Sequence, residues 1–161
     1  MIERERGDHA AAVRLVEELH ETARERPAGA GAWFLPEAVR ACVAAGSLDL
    51  AETLFEGVEA VMARDRYAVL TGRAILGEAR GEIERAADLY REAAERWAEF
   101  GHVPERGQAL LGLGRCLTAT GGSAEAVTPL RDAREIFSSL GARPLLDEAD
   151  AWLAKATALS S

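Results

Sequence analysis

Apolar residues recur along the chain at steps of three and four, and charged residues fill the intervening positions. This is the period of a helix buried on one face, and the strict alternation of a half-buried strand is absent. The pattern predicts about eight helices, over residues 8–25, 35–45, 48–62, 66–80, 83–100, 104–120, 123–140 and 144–159. Punctuation falls between them: "RPAGAGAW" after the first, then Gly46, Gly81, Gly101, "GG" at 121–122, and Gly141 followed by Pro144. Pro36 suits the first turn of the second helix, where its missing N–H costs nothing. No segment is long and polar enough to serve as a linker, so the expectation is one domain over 1–161.

Self-alignment gives more than the helices alone. Each of four turn glycines is followed five residues later by alanine: Gly7/Ala12, Gly46/Ala51, Gly81/Ala86 and Gly121/Ala126, with spacings of 39, 35 and 40. Seven residues before the last three glycines stand Val39, Ala74 and Gly114. Nine after all four come Val16, Phe55, Tyr90 and Leu130; twelve after come Leu19, Val58, Ala93 and Ala133. Each unit is therefore helix A, a glycine turn and helix B. Small residues sit where A and B touch, and larger ones fill the gap to the next hairpin. The units are a partial one at 1–25, three at about 32–62, 66–100 and 104–140, and a closing helix at 144–159.

These positions resemble the tetratricopeptide repeat, with "ARGEIERAADLYREAAERW" (79–97) and "ALLGLGRCLTATGGSAEAVTPLRDA" (109–133) as the nearest stretches. The resemblance implies an all-α fold of antiparallel hairpins in a right-handed superhelix. The stretches "FLPEAVRACVAAGSLDLAETLFEGVEA", "EFGHVPERGQALLGLGRCL" and "AREIFSSLGARPLLDEADAWLAKA" further resemble the C-terminal repeat region of large bacterial signal-transduction ATPases. That group includes LuxR-type ATP-binding regulators and ATPase-linked nucleotide cyclases. Their nucleotide-binding and helix-turn-helix parts have no counterpart in these residues, so no ATPase, cyclase or DNA-binding activity is implied. The first unit has a helix B and only "MIERER" before its turn, which leads to the expectation that the chain is a fragment of a larger signalling protein, the alternative being a short free-standing protein whose first helix is its own cap.

Candidate chemistry narrows under the same reading. "LLGLGRCLTATGG" (110–122) lacks the lysine and Ser/Thr of a phosphate loop, and no strand precedes it. Gly114 falls at the A–B contact and Gly121 at the turn. The net charge of −8 opposes nucleic-acid backbones, which are held by basic stripes. No apolar run is long enough to span a membrane, and no signal peptide opens the chain, so the expected location is cytoplasmic. Cys42 and Cys116 lie within apolar helical patterns and are expected as buried free thiols. His9 and His20 are eleven residues apart on one helix, too far to share an ion. Glu17 and His20 form a single Glu-x-x-His, half of what a di-iron site needs. His102 reads as a surface or capping residue. No metal, cofactor or catalytic set is expected.

Binding, if the superhelix forms, uses the A helices. The candidate groove residues are Trp33 and Arg40 from the first, Thr71, Ile75 and Glu78 from the second, and Gln108, Leu111, Arg115 and Thr118 from the third. Arg40 and Arg115 carry guanidinium forks suited to carboxylate or phosphate. Trp33–Phe34 also fits a hydrophobic staple ahead of the helix at Leu35. In the closing helix Leu145, Leu146, Ala149, Trp152 and Leu153 are expected inward, and Asp147, Glu148, Asp150 and Lys155 outward. The leading function is a non-catalytic scaffold for a protein or peptide partner, including other domains of its parent. The alternative is a sensor that binds a small effector and relays it to an upstream ATPase; an enzyme is the third reading.

Overall fold

A computed structural model describes residues 11, 14, 17, 18, 21 and 32–160. Of the first expected helix, Ala11, Arg14, Glu17, Glu18 and Glu21 are described; all five are helical and exposed. Gly7, His9, Ala12, Val16, Leu19 and His20 lie outside the described residues. Among those described, the fold is all-α and contains no strand. A 3-10 turn, Ala32–Phe34, leads into α1 (Leu35–Ala44), α2 (Leu48–Thr53), α3 (Ala63–Ala79), α4 (Ile83–Phe100), α5 (Val103–Ala119), α6 (Ser123–Leu140) and α7 (Arg143–Leu159). The chain divides into two compact units, Met1–Arg80 and Gly81–Ser161.

In the first unit α1 and α2 form the hairpin, and α1 packs along α3. Gly46 closes α1 in the left-handed region (φ 68°). The Gly46 and Ser47 amides donate back to the Val43 and Cys42 carbonyls, which satisfies the helix end. Leu35, Val39, Cys42, Ala51 and Leu54 are buried beneath it. α2 is shorter than the expected 48–62. After Thr53 the Phe55 and Glu56 amides bond three residues back, to Glu52 and Thr53, and Gly57 turns the chain at φ 68°. Glu52, Glu56 and Glu59 would repel along a continued helix, and Val58 and Val61 favour extended backbone. Phe55 and Val58 thus leave their repeat positions. Phe55 instead fills the space over Gly72, where a Cβ would lie 3.0 Å from its ring.

α3 starts three residues before the expected boundary. The Asp65 carboxylate accepts from the Met62 amide at 3.1 Å, which fixes that first turn. Its other oxygen is buried without a hydrogen-bond partner.

The second unit stacks α4 to α7, each helix packed on the next. Two glycines end the B helices alike: Gly101 (φ 84°) and Gly141 (φ 66°). The His102 amide donates to the Trp97 carbonyl, and the Ala142 amide to that of Phe137. A proline follows three residues after each glycine, in the first turn of the next helix. His102 caps α5, its Nδ1 accepting from the Glu105 amide at 3.3 Å. At the A-to-B turn, Gly121 takes φ 86°.

Glycines set the depth of packing on α5. A Cβ on Gly114 would lie 2.3 Å from Leu130 Cγ on α6. On Gly112 it would lie 2.4 Å from the Tyr90 ring on α4, and on Gly107 2.8 Å from Ile136 on α6. The backbone itself forms the contact surface for two neighbouring helices. Ala86, Ala93, Ala126 and Ala133 are fully buried at the matching positions of α4 and α6. Repeat geometry and small residues agree.

α7 closes the unit by a different route. Ala149 and Ala156 are its buried residues, while Leu145, Leu146, Trp152 and Leu153 are half-buried. Glu148 and Asp150 do not simply face water as expected. They pair with Arg115 on α5 (2.9 Å) and Arg134 on α6 (2.5 Å).

Candidate functional site

The candidate groove residues separate by burial. In the first unit Thr71 is fully buried, its hydroxyl donating to the Tyr67 carbonyl at 2.8 Å, and Ile75 is buried as well. In the second, Leu111 and Thr118 are buried, and the Thr118 hydroxyl donates to the Gly114 carbonyl at 2.8 Å. Both hydroxyls are spent on their own helices. These four are packing positions, which corrects their placement on an open groove. For Leu111 and Thr118 the cause is that α5 is buried on most of its circumference, with neighbours on two sides.

Five residues remain accessible. Trp33 is exposed, with Phe34 edge-on to it at 6.3 Å between ring centroids. Arg40 is half-buried and pairs with Glu37 one turn earlier at 3.3 Å. Glu78 and Gln108 are half-buried. Gln108 and Arg115 stand seven residues apart on α5, about 10 Å along the axis on one side of the helix. Arg115 holds a carboxylate of its own chain, that of Glu148 on α7, at 2.9 Å.

The sequence reading missed a second charged cluster. Arg73 on α3 and Arg80 just past its end both donate to Glu52, at 2.5 and 2.7 Å, and the Arg73 guanidinium lies 3.9 Å over the Phe55 ring. The hydrogen bond from Arg73 holds the Glu52 carboxyl below the usual range against a smaller opposing effect of burial, with Arg80 adding to the lowering. The i,i+7 arginines on α3 were visible in the sequence. Their convergence on Glu52 depends on α2 packing beside α3.

Two further features bear on chemistry. Cys42 and Cys116 are free and buried, and burial pushes the Cys42 thiol up to about 11, with the Glu17 carboxylate adding to the rise. A thiol so placed is a poor nucleophile at neutral pH. An open depression of about 530 Å³ is lined by Gly81, Glu82, Ile83, Glu84, Arg85 and Thr120. It is shallow and carries both charge signs, unlike the apolar pocket with converging polar groups that an effector site requires. Among the described residues no cluster of His, Cys, Asp and Glu is arranged to hold a metal, and no helix is long and apolar enough to cross a membrane.

The α5–α6 hairpin, the small residues at its A–B contact and the left-handed glycines at the turns have the form of a repeat. Residues 65–139 match the tetratricopeptide repeat family. The match runs from the first turns of α3 almost to the end of α6. No curated protein and no solved structure matches the chain. Tetratricopeptide repeats generally serve as protein-interaction scaffolds. The likeness to signal-transduction ATPases rests on the sequence stretches alone.

Proposed function

We propose that this chain is a non-catalytic interaction scaffold that takes a protein or peptide partner on the α5 side of its second unit. The observation that carries the reading is the repeat match over 65–139, joined to the Gln108–Arg115 face of α5. Arg115 already prefers a carboxylate, and a fork of this kind transfers readily to an acidic side chain or chain terminus. The net charge of −8 supports a protein partner over nucleic acid. The resemblance to ATPase-linked repeat regions supports a regulatory setting, in which the partner includes other domains of a parent protein.

The test is a photo-crosslinking residue placed at Gln108, used in the cell of origin. Discrete protein adducts that weaken on Arg115→Ala support the scaffold. A face that yields no adduct, or adducts indifferent to Arg115, overturns it.

A further inference from the structure

The Gly101/Pro104 and Gly141/Pro144 turns lie forty residues apart, which puts α7 in the register of α5. Burial agrees: Ala109 and Cys116 on α5 and their counterparts Ala149 and Ala156 on α7 are all buried. In this register Glu148 takes on α7 the position that Gln108 has on α5, and both are half-buried. The Gln108–Arg115 face therefore continues onto the closing helix. The 2.9 Å bond from Arg115 to Glu148 lies within that face, not behind it. A carboxylate of the chain itself occupies the guanidinium fork.

We infer that Glu148 is an internal competitor for Arg115, which an acidic side chain of the protein partner displaces when it binds. This rests on the scaffold reading above and adds the residue that regulates its affinity. The pair can be opened from solvent, since the Arg115 and Glu148 side chains are 24% and 42% exposed. An ion pair so placed is weakly held, because water screens it and two long side chains regain freedom on release. α7 does not have to leave for the exchange. Ala149 and Ala156 keep it seated, and Asp150 keeps its own bond to Arg134 on α6. Glu148 only has to turn outward, and an incoming carboxylate then meets a guanidinium already placed for one. Being tethered, Glu148 competes at high effective concentration. A neutral or basic segment gains nothing at Arg115 that offsets the loss of Glu148. The affinity of the face is therefore a difference between two carboxylates, not the worth of one.

The test uses the full chain with the photo-crosslinking residue at Gln108, in the cell of origin. Glu148→Gln keeps the size of the side chain and removes its charge. It should raise the yield of the Arg115-dependent adduct about threefold, in keeping with the modest worth of an exposed pair. Glu148→Ala, a second route to the same release, should give the same gain, and adding Arg115→Ala should abolish it. Asp150→Asn removes an equal charge and the tie of α7 to Arg134 without touching Arg115, and should leave the yield unchanged. Circular dichroism of each variant separates these effects from loss of the fold. An Arg115-dependent adduct that both Glu148 variants leave unchanged or weaken overturns the competition and leaves the scaffold reading standing. An equal gain on Asp150→Asn also overturns it, because charge or the seating of α7 would then be the cause. Adducts in neither the wild type nor Glu148→Gln remove the scaffold reading itself, and the competition with it.

Discussion

Gly114→Ala is the sharpest test of how the second unit packs. The added Cβ would stand 2.3 Å from Leu130 Cγ and 2.4 Å from Cδ2. Ordinary contact begins near 3.5 Å, so about 1 Å of separation has to be found. Leu130 is fully buried and has little room to turn away. Overpacking of this severity costs about 3 kcal/mol, the upper end of the usual range. Alanine returns about 1 kcal/mol in helix propensity. The net expectation is a loss of about 2 kcal/mol, measured by urea unfolding followed by circular dichroism at 222 nm. Leu130→Ala alone leaves a cavity and costs about 2–5 kcal/mol. Combined with Gly114→Ala it removes the clash while the helix-propensity gain remains, so the double variant should lose about 3 kcal/mol less than the sum of the singles. A neutral or stabilising Gly114→Ala would refute the close contact, and so would simple additivity with Leu130→Ala.

Gly81→Ala should cost about 1 kcal/mol by the same assay, because φ 81° admits alanine only with strain while nothing crowds its Cβ. Glu52→Gln should lower stability at pH 7 by no more than about 1 kcal/mol, the pair being half-exposed. Since the folded carboxyl titrates below its ordinary 4.5, that contribution is present above this value and is lost as pH falls through the lowered one. The wild type and Glu52→Gln should therefore converge in thermal melts on acidification. The Cys42 thiol, held up to about 11, should resist a disulfide reagent at pH 8 in the native protein and react quickly in urea; fast native labelling at Cys42, followed in a Cys116→Ser background, would contradict its burial.

Much of the repeat was legible because its constraints are local. A left-handed turn needs glycine, and Gly46, Gly81 and Gly121 all take positive φ. Alanine five residues later falls in helix B, and Ala51, Ala86 and Ala126 are fully buried. Gly114 was assigned to the A–B contact by alignment alone, and Leu130 proves to be the atom set that requires it. The roles of Gly107 and Gly112 were not legible. Gly112 answers to Tyr90, a side chain of the preceding helix, and no spacing within α5 announces that. The turn pairs Phe100–Gly101 and Leu140–Gly141, each with proline three residues on, repeat at an interval of forty residues.

Burial around a helix was the larger uncertainty. Thr71, Leu111 and Thr118 occupy A-helix positions from which a groove could be drawn, yet all three are buried. A single helix shows its own apolar face in sequence, but the number of neighbours that cover it is a property of the assembly. Charge behaves likewise. Glu148 looked like a solvated residue until α7 was laid against α5 and brought it to Arg115. The sequence by itself determined the helices, the turn glycines and the small residues between paired helices, because backbone sterics and helical period act over a few residues. Only the tertiary structure decided which arginines meet which carboxylates, and where α2 ends. The ion pairs join residues 16 to 33 positions apart, and no local pattern encodes their energies.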